Sequence, residues 1–271
     1  MELFKPDNFS QATIRFKEYI NGDVNSFAEI LKEYFSDFKI EKIYQVDRAE
    51  IQTQNYKIIL TESGRSRTIL FKKYKVSPDL DQTEFYLNLL AVLLAKGVLV
   101  SRVLKTLEGK LIISVAGELY SVFDFIDGDH FAPTEHAWAD VAINLAKMHL
   151  AFNEFDENYF QQIDAFSQKG YYPFNVIKNY TVEDFSLIED KINSKSKIEE
   201  AEKKLLAKLP VFKAVVEEVK KYEERIARLP KQIIHSDFHP HNIIMSDNNV
   251  KAIIDFENAR VSQQAREISF A

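Results

Sequence analysis

Cysteine is absent from the 271 residues, which excludes disulfides, a thiolate metal site and a cysteine nucleophile, and fits a reducing compartment. An excess of positive charge is also missing. With 35 Lys and Arg against 41 Asp and Glu, the net charge is −6 and the pI about 5.6. A phosphate-backbone binder carries a basic stripe, so this balance argues against a nucleic-acid partner. The chain also lacks an unbroken apolar run. "FYLNLLAVLLAKGVLV" is interrupted by Asn88, Lys96 and Gly97 and is too short for a bilayer. The N-terminal "MELFKPDNFSQATIRF" is polar early and has no apolar core of a secretory signal. The expectation is a soluble cytoplasmic protein with no membrane partner. There is no internal repeat, and composition is biased only in a Lys- and Glu-rich stretch over 194–208.

What is present suits a packed core: 46% hydrophobic and 28% charged residues over a length allowing one large domain or two lobes. Residues 9–36 read as short amphipathic helices. "KIEKIYQV", "NYKIILTES" and "SRTILFKKYKV" then read as strands, with Ser63-Gly64 as a hairpin turn. "DQTEFYLNLLAVLLAKGV" has apolar residues at helical spacing, and "ELYSVFDFIDG" returns to strand. Beyond Gly128 the pattern is mainly helical, including "HAWADVAINLAKMHLAF" and "VFKAVVEEVKKYEERIARL". The latter has an apolar face running from Val211 to Ile226. Short strands reappear at "KQIIHSD", "NIIM" and "VKAIIDF". The expected fold class is α+β: a β-rich lobe over 1–127 with one main helix, a mostly helical lobe over 128–271, and a cleft between them.

The stretch "IIHSDFHPHNIIM" raises the question of chemistry. "NIIM", "SDNN" and "VKAIID" form a hairpin pattern with its turn at Ser246 to Asn249. Asn242 then faces about Ile253, and Asp255 lies two residues further along, about 7 Å at strand rise. Asp237 stands just before the hairpin. Two carboxylates and an amide oxygen converge, a donor set that suits Mg2+ completed by phosphates and water. The chain order points to Asn242 and Asp255 for the metal and leaves Asp237 to take a proton from a hydroxyl. Two other readings stand beside this one. Asp, Asn and Pro also build ordinary turns, and His235, His239 and His241 are potential zinc ligands, although Pro240 interrupts them.

"HSDFHPHN" followed by "IIDFENA" resembles the aminoglycoside phosphotransferase and choline kinase superfamily, small-molecule kinases with a protein-kinase-like fold. The match falls on His235, Asp237, Asn242 and Asp255. The resemblance implies a two-lobed architecture with ATP and Mg2+ as cofactors and a small-molecule hydroxyl as acceptor. Asp237 is the implied base, with His235 bracing its loop. "TILFKKY" is similar to the strand whose lysine holds ATP phosphates, which implies Lys72, with Lys73 as the alternative, and Glu84 on the following helix as its partner. "VFDFIDG" is similar to the adenine-contacting hinge and implies Phe123, Asp124, Phe125 and Ile126.

The phosphate-covering loop falls in "VDRAEIQTQNY", which contains no glycine; Thr53 and Gln54 are its candidate contacts. Where the family has an aspartate at a helix start, "AREISFA" offers Glu267 and Ser269. His149 reads as a structural residue. Glu257 is a candidate contact for an amine-bearing acceptor such as an aminoglycoside, amino sugar, homoserine or choline. The expected function is ATP-dependent phosphorylation of a small alcohol. A kinase-like nucleotide-binding scaffold is the alternative, followed by a histidine-metal hydrolase.

Overall fold

The computed structural model describes residues 16–19, 24–46, 53–74, 79–169 and 180–268. The N-terminal part begins with β1 (Phe16–Glu18), α1 (Val24–Leu31), β2 (Phe38–Val46), β3 (Thr53–Glu62) and β4 (Arg65–Tyr74). It continues with α2 (Leu80–Ala95), β5 (Ile113–Val115) and β6 (Glu118–Asp124). These six strands form one antiparallel sheet in the order β1-β2-β3-β4-β6-β5. Between β3 and β4, Glu62 pairs with Arg65, so the turn is the two residues Ser63 and Gly64. Both have positive φ, 49° and 79°, as a tight hairpin of right-handed strands requires.

The expected short helices over 9–36 are met by α1. Phe16–Glu18, however, is a strand, because the open edge of β2 accepts it in register, Phe16 opposite Val46. Pairing with a waiting edge outweighs local helical spacing. Residues 9–15 and 20–23 lie outside the described residues.

The second part contains β7 (Asp129–His130), α3 (Glu135–Phe152), α4 (Glu157–Lys169), α5 (Val182–Asn193), α6 (Glu200–Lys220) and α7 (Glu223–Ala227). It ends with β8 (Lys231–Ile234), β9 (Ile243–Ser246), β10 (Asn249–Ile253), β11 (Arg260–Gln263) and α8 (Gln264–Ile268). β9 and β10 make the expected hairpin. Its turn residues Asp247 and Asn248 both have positive φ, and β7 pairs on the other side of β9. The register places Ile253 opposite Ile243, one residue from the expected partner, with a bulge between Val250 and Ala252. β8 and β11 form a separate two-stranded ribbon.

Helix α2 ties the two parts together. Its Leu89 and Leu93 pack in the core formed with α3, β8, β9 and β10, while Leu87 joins a cluster with Tyr74 and Phe123 of the sheet. Asp79 caps it by accepting from the Gln82 N–H at 3.1 Å. The connection to the second part is tight at Gly128: a Cβ there would lie 2.4 Å from the Met245 carbonyl oxygen. Only glycine lets the chain pass β9 this closely. Among the described residues no helix is long and apolar enough to cross a membrane.

Candidate functional site

Strand alternation decides between the two lysines of β4. Lys72 is buried and lines the cleft between the sheet and the β9–β10 hairpin, whereas Lys73 points away and pairs with Glu118 at 2.7 Å. Lys72 Nζ makes a close ion pair with Glu257 and lies 3.9 Å from Asp255 Oδ1. Burial opposes the ammonium charge, but Glu257 and the nearby Asp255 outweigh it and hold the amine well above the usual lysine range. Burial likewise works against the Glu257 carboxylate, yet Lys72 brings it below the ordinary glutamate value. The resemblance implied Glu84 as this partner. Glu84 is exposed on α2, where the helical repeat turns Thr83 and Leu87 toward the cleft instead. Glu257, expected at the acceptor, sits at the lysine.

Beside the cleft runs the loop from His235 to Asn242, of which His241 lines it. Asn242 donates both to the Asp237 carbonyl oxygen at 2.9 Å and to its Oδ2 at 3.1 Å. Asn258 donates to the same Oδ2 at 3.2 Å, and His239 Nε2 is 3.4 Å from Oδ1. The Asp237 carboxylate is therefore fixed from two sides while remaining partly open to solvent. Asn242 uses its amide nitrogen on Asp237, which leaves its side-chain oxygen outside that pair. Its backbone carbonyl accepts from the Ile254 N–H at 3.0 Å, which brings Asp255 beside it. Asp255 has the left-handed φ of 63° and lines the cleft.

His235 is fully buried. Its Nε2 lies 2.8 Å from the Ile254 carbonyl, and its Nδ1 accepts from the Asp237 N–H at 3.2 Å. A carbonyl only accepts and an N–H only donates, so the ring is the neutral Nε2–H tautomer. Burial pushes its pKa below the usual histidine value despite the nearby Glu267. Both nitrogens are occupied, so His235 has no lone pair for zinc. Among the described residues no three His, Cys, Asp or Glu side chains come together as a metal site.

Beneath this loop lies Glu267, fully buried, whose carboxylate accepts from the His235 N–H and, at 2.9 Å, from the Ser236 N–H. Ser236 is in the left-handed region at φ 66°, a conformation that these bonds hold. His149, also buried, stands 3.7 Å from Glu267 and next to Gln264, in keeping with a structural role. Ser269 lies outside the described residues.

Phe123, Asp124, Phe125 and Ile126 all line the cleft. The Asp124 carboxylate is engaged by Arg67 at 3.0 Å and Arg102 at 2.5 Å. Its main chain is also used, donating to the Arg102 carbonyl and accepting from Ser101. Thr53 and Gln54 pair with Tyr74 and Lys73 at the start of β3; the neighbouring Asn55 is the residue lining the cleft. Residues 47–52 of the glycine-free loop lie outside the described residues. Sequence reasoning missed Asn55, Asn258 and the Lys72–Glu257 pair. The adjacency of Glu257 and Asn258 to Asp255 was the available signal.

An antiparallel sheet with one crossing helix, a helical second part and a cleft lined by Lys72 and Asp255, with Asp237 and Asn242 hydrogen-bonded to each other beside Asp255, define a two-lobed, protein-kinase-like fold. The chain belongs to the phosphotransferase enzyme family, whose model matches residues 46–269. It is 24% identical over 226 residues to a homoserine kinase of Zymomonas mobilis, covering 81% of this chain and 60% of that protein's length. Among solved structures, the spectinomycin phosphotransferase determined with ADP and spectinomycin superposes with a TM-score of 0.67 at 15% identity. That match covers 93% of this chain and 74% of the other. An aminoglycoside phosphotransferase from Alicyclobacillus acidocaldarius gives a TM-score of 0.58 at 19% identity, over 88% and 68% of the two chains.

Proposed function

We propose that this chain transfers the γ-phosphoryl group of ATP to a hydroxyl of a small molecule. The observation that carries the reading is the Asp237 carboxylate, oriented by Asn242 and Asn258, in one constellation with Lys72, Asp255 and Glu257. Phosphoryl transfer depends mainly on positioning and on neutralising charge, and these residues divide that work. Asp237 orients the acceptor hydroxyl and takes its proton. Lys72 meets the phosphate oxygens. Glu257, engaged with Lys72, belongs to the nucleotide end of the cleft rather than to the acceptor.

The donor set suits Mg2+. Asn242 spends its amide nitrogen on Asp237, so its oxygen is the group left to offer, and Asp255 supplies a second hard oxygen beside it. Mg2+ held by Asn242 and Asp255 would neutralise phosphate charge. Adenine lies against Phe123 to Ile126; because the Asp124 main chain is already hydrogen-bonded, its polar edge falls to Ile126. The lobes divide at Asp127–Gly128.

The finer assignment is an amino alcohol acceptor, with homoserine first because of the homoserine kinase similarity, then aminoglycosides, amino sugars and choline. The test is ATP turnover by the purified chain against this acceptor panel, beside Asp237→Asn. Turnover with one alcohol, lost in the variant while nucleotide still binds, supports the reading. Nucleotide binding without turnover on any acceptor would replace it with a non-catalytic nucleotide-binding domain.

A further inference from the structure

Strand β1 lies outside residues 46–269, over which the family model matches, yet it reaches the cleft. It extends the sheet at the edge of β2, with Phe16 opposite Val46. Residues paired in this way put their side chains on one face of the sheet. The register carries that row onward: Gln45 pairs with Tyr56, which brings Asn55 next to Val46, and Asn55 pairs with Lys72. Phe16, Val46, Asn55 and Lys72 all line the cleft. Phe16 and Lys72 thus stand at the two ends of one row, three strand spacings or about 14 Å apart.

Phe16 meets Phe125 edge to face at the mouth of the cleft, with ring centroids 5.9 Å apart and planes at 61°. Lys57 Nζ lies over both rings, 4.3 Å from the Phe125 centroid and 5.2 Å from that of Phe16. These contacts join β1, β3 and the segment after β6 around one opening. Phe16 and His130 also line a second, polar hollow beside the cleft, which carries Asp127, Asp129 and Asp247. The Phe16 ring therefore separates an apolar interior, lined by Leu70, Ile244 and Ile253, from charged groups outside it.

We propose that Phe16 is a nucleotide-binding residue whose ring packs against the purine base and shields it from water at the mouth of the cleft. The inference rests on the nucleotide reading of the cleft and adds a contact from outside the family-matched residues. Phe16 stands too far from Lys72 to share the phosphates, and its neighbour Phe125 belongs to the segment against which the base lies. The contact is with the base alone.

Calorimetric titration of the parent chain and Phe16→Ala with ADP, adenosine and tripolyphosphate, each with Mg2+, tests it. The expected result is an affinity about fivefold lower for ADP and lower by the same factor for adenosine, with tripolyphosphate binding unchanged. Trp138 is the single tryptophan of the chain, so Phe16→Trp in a Trp138→Phe background gives a second readout. Its fluorescence is expected to be quenched as ADP binds, at an affinity close to the parent's. ADP binding as tight in Phe16→Ala as in the parent overturns the inference alone, and so does a tryptophan signal indifferent to ADP. An equal loss for all three ligands also overturns it, because Phe16 would then only hold the sheet edge in place. A parent chain that binds none of the three overturns the nucleotide reading as well.

Discussion

Lys72 of β4 and Glu257 just beyond β10 close an ion pair across the cleft from positions 185 residues apart in the chain. The lysine is thereby coupled to the segment that carries Asp255, not to α2. Glu257→Gln is expected to destabilise the chain by about 2 kcal/mol, because it leaves a largely buried ammonium with only the more distant Asp255 carboxylate to balance it. The Glu257 pKa is lowered in the folded state, so its contribution is present above the ordinary carboxylate range and is lost as pH falls through the depressed value. Denaturant titrations of both proteins check this. Their stability difference is largest near neutrality and shrinks below about pH 4.

Asp255→Asn keeps the shape of the side chain but removes its charge from the cleft. In a thermal-shift series with ATP, the Mg2+-dependent part of the stabilisation is expected to disappear in the variant, since ligand bound to the folded state raises the melting temperature by mass action. An equal Mg2+-dependent shift in both proteins would remove Asp255 from the nucleotide site.

Glu267 supports the loop from below. Glu267→Ala leaves the His235 and Ser236 N–H groups buried without acceptors, at an expected cost of about 3 kcal/mol. Glu267→Gln retains one oxygen and is expected to cost less than half as much. Equilibrium unfolding distinguishes the two; equal losses would mean that the side chain fills space and does not serve as an acceptor.

His235 is neutral and accepts a hydrogen bond through Nδ1, so its protonation competes with the loop geometry. Its folded pKa is depressed, and the folded state therefore binds fewer protons than the unfolded chain below about pH 6.5. Stability is expected to decline from that pH downward until the depressed value is passed. The nearby carboxylates of Glu267, Asp237 and Glu257 limit the fall. Melting temperatures from pH 8 to 5 should slope less in His235→Gln than in the parent (about 1.5 units of pH on either side of the reference value).

Much of this site is legible in the sequence because its chemistry is local. Asp237, Asn242 and Asp255 lie in and beside one hairpin, whose turn residues and apolar arms give both the pairing and the approximate spacing. The choice of Lys72 over Lys73 needed only the parity of a strand once its buried face was known. The β1 segment was misread because a three-residue edge strand has no periodicity of its own to set against helical spacing. Glu84 was misassigned for a related reason: a helix pattern says which residues share a face, but not how the helix is rotated about its axis against a distant strand.

The sequence alone determined the elements of the α+β plan, the Asp–Asn–Asp set and the cleft-facing strand, since short-range spacing and backbone preference specify all three. Tertiary structure alone decided that Glu257 partners Lys72 and that Glu267 holds the loop. Both depend on contacts between segments far apart in the chain, and burial of that kind is set by packing, not by local pattern.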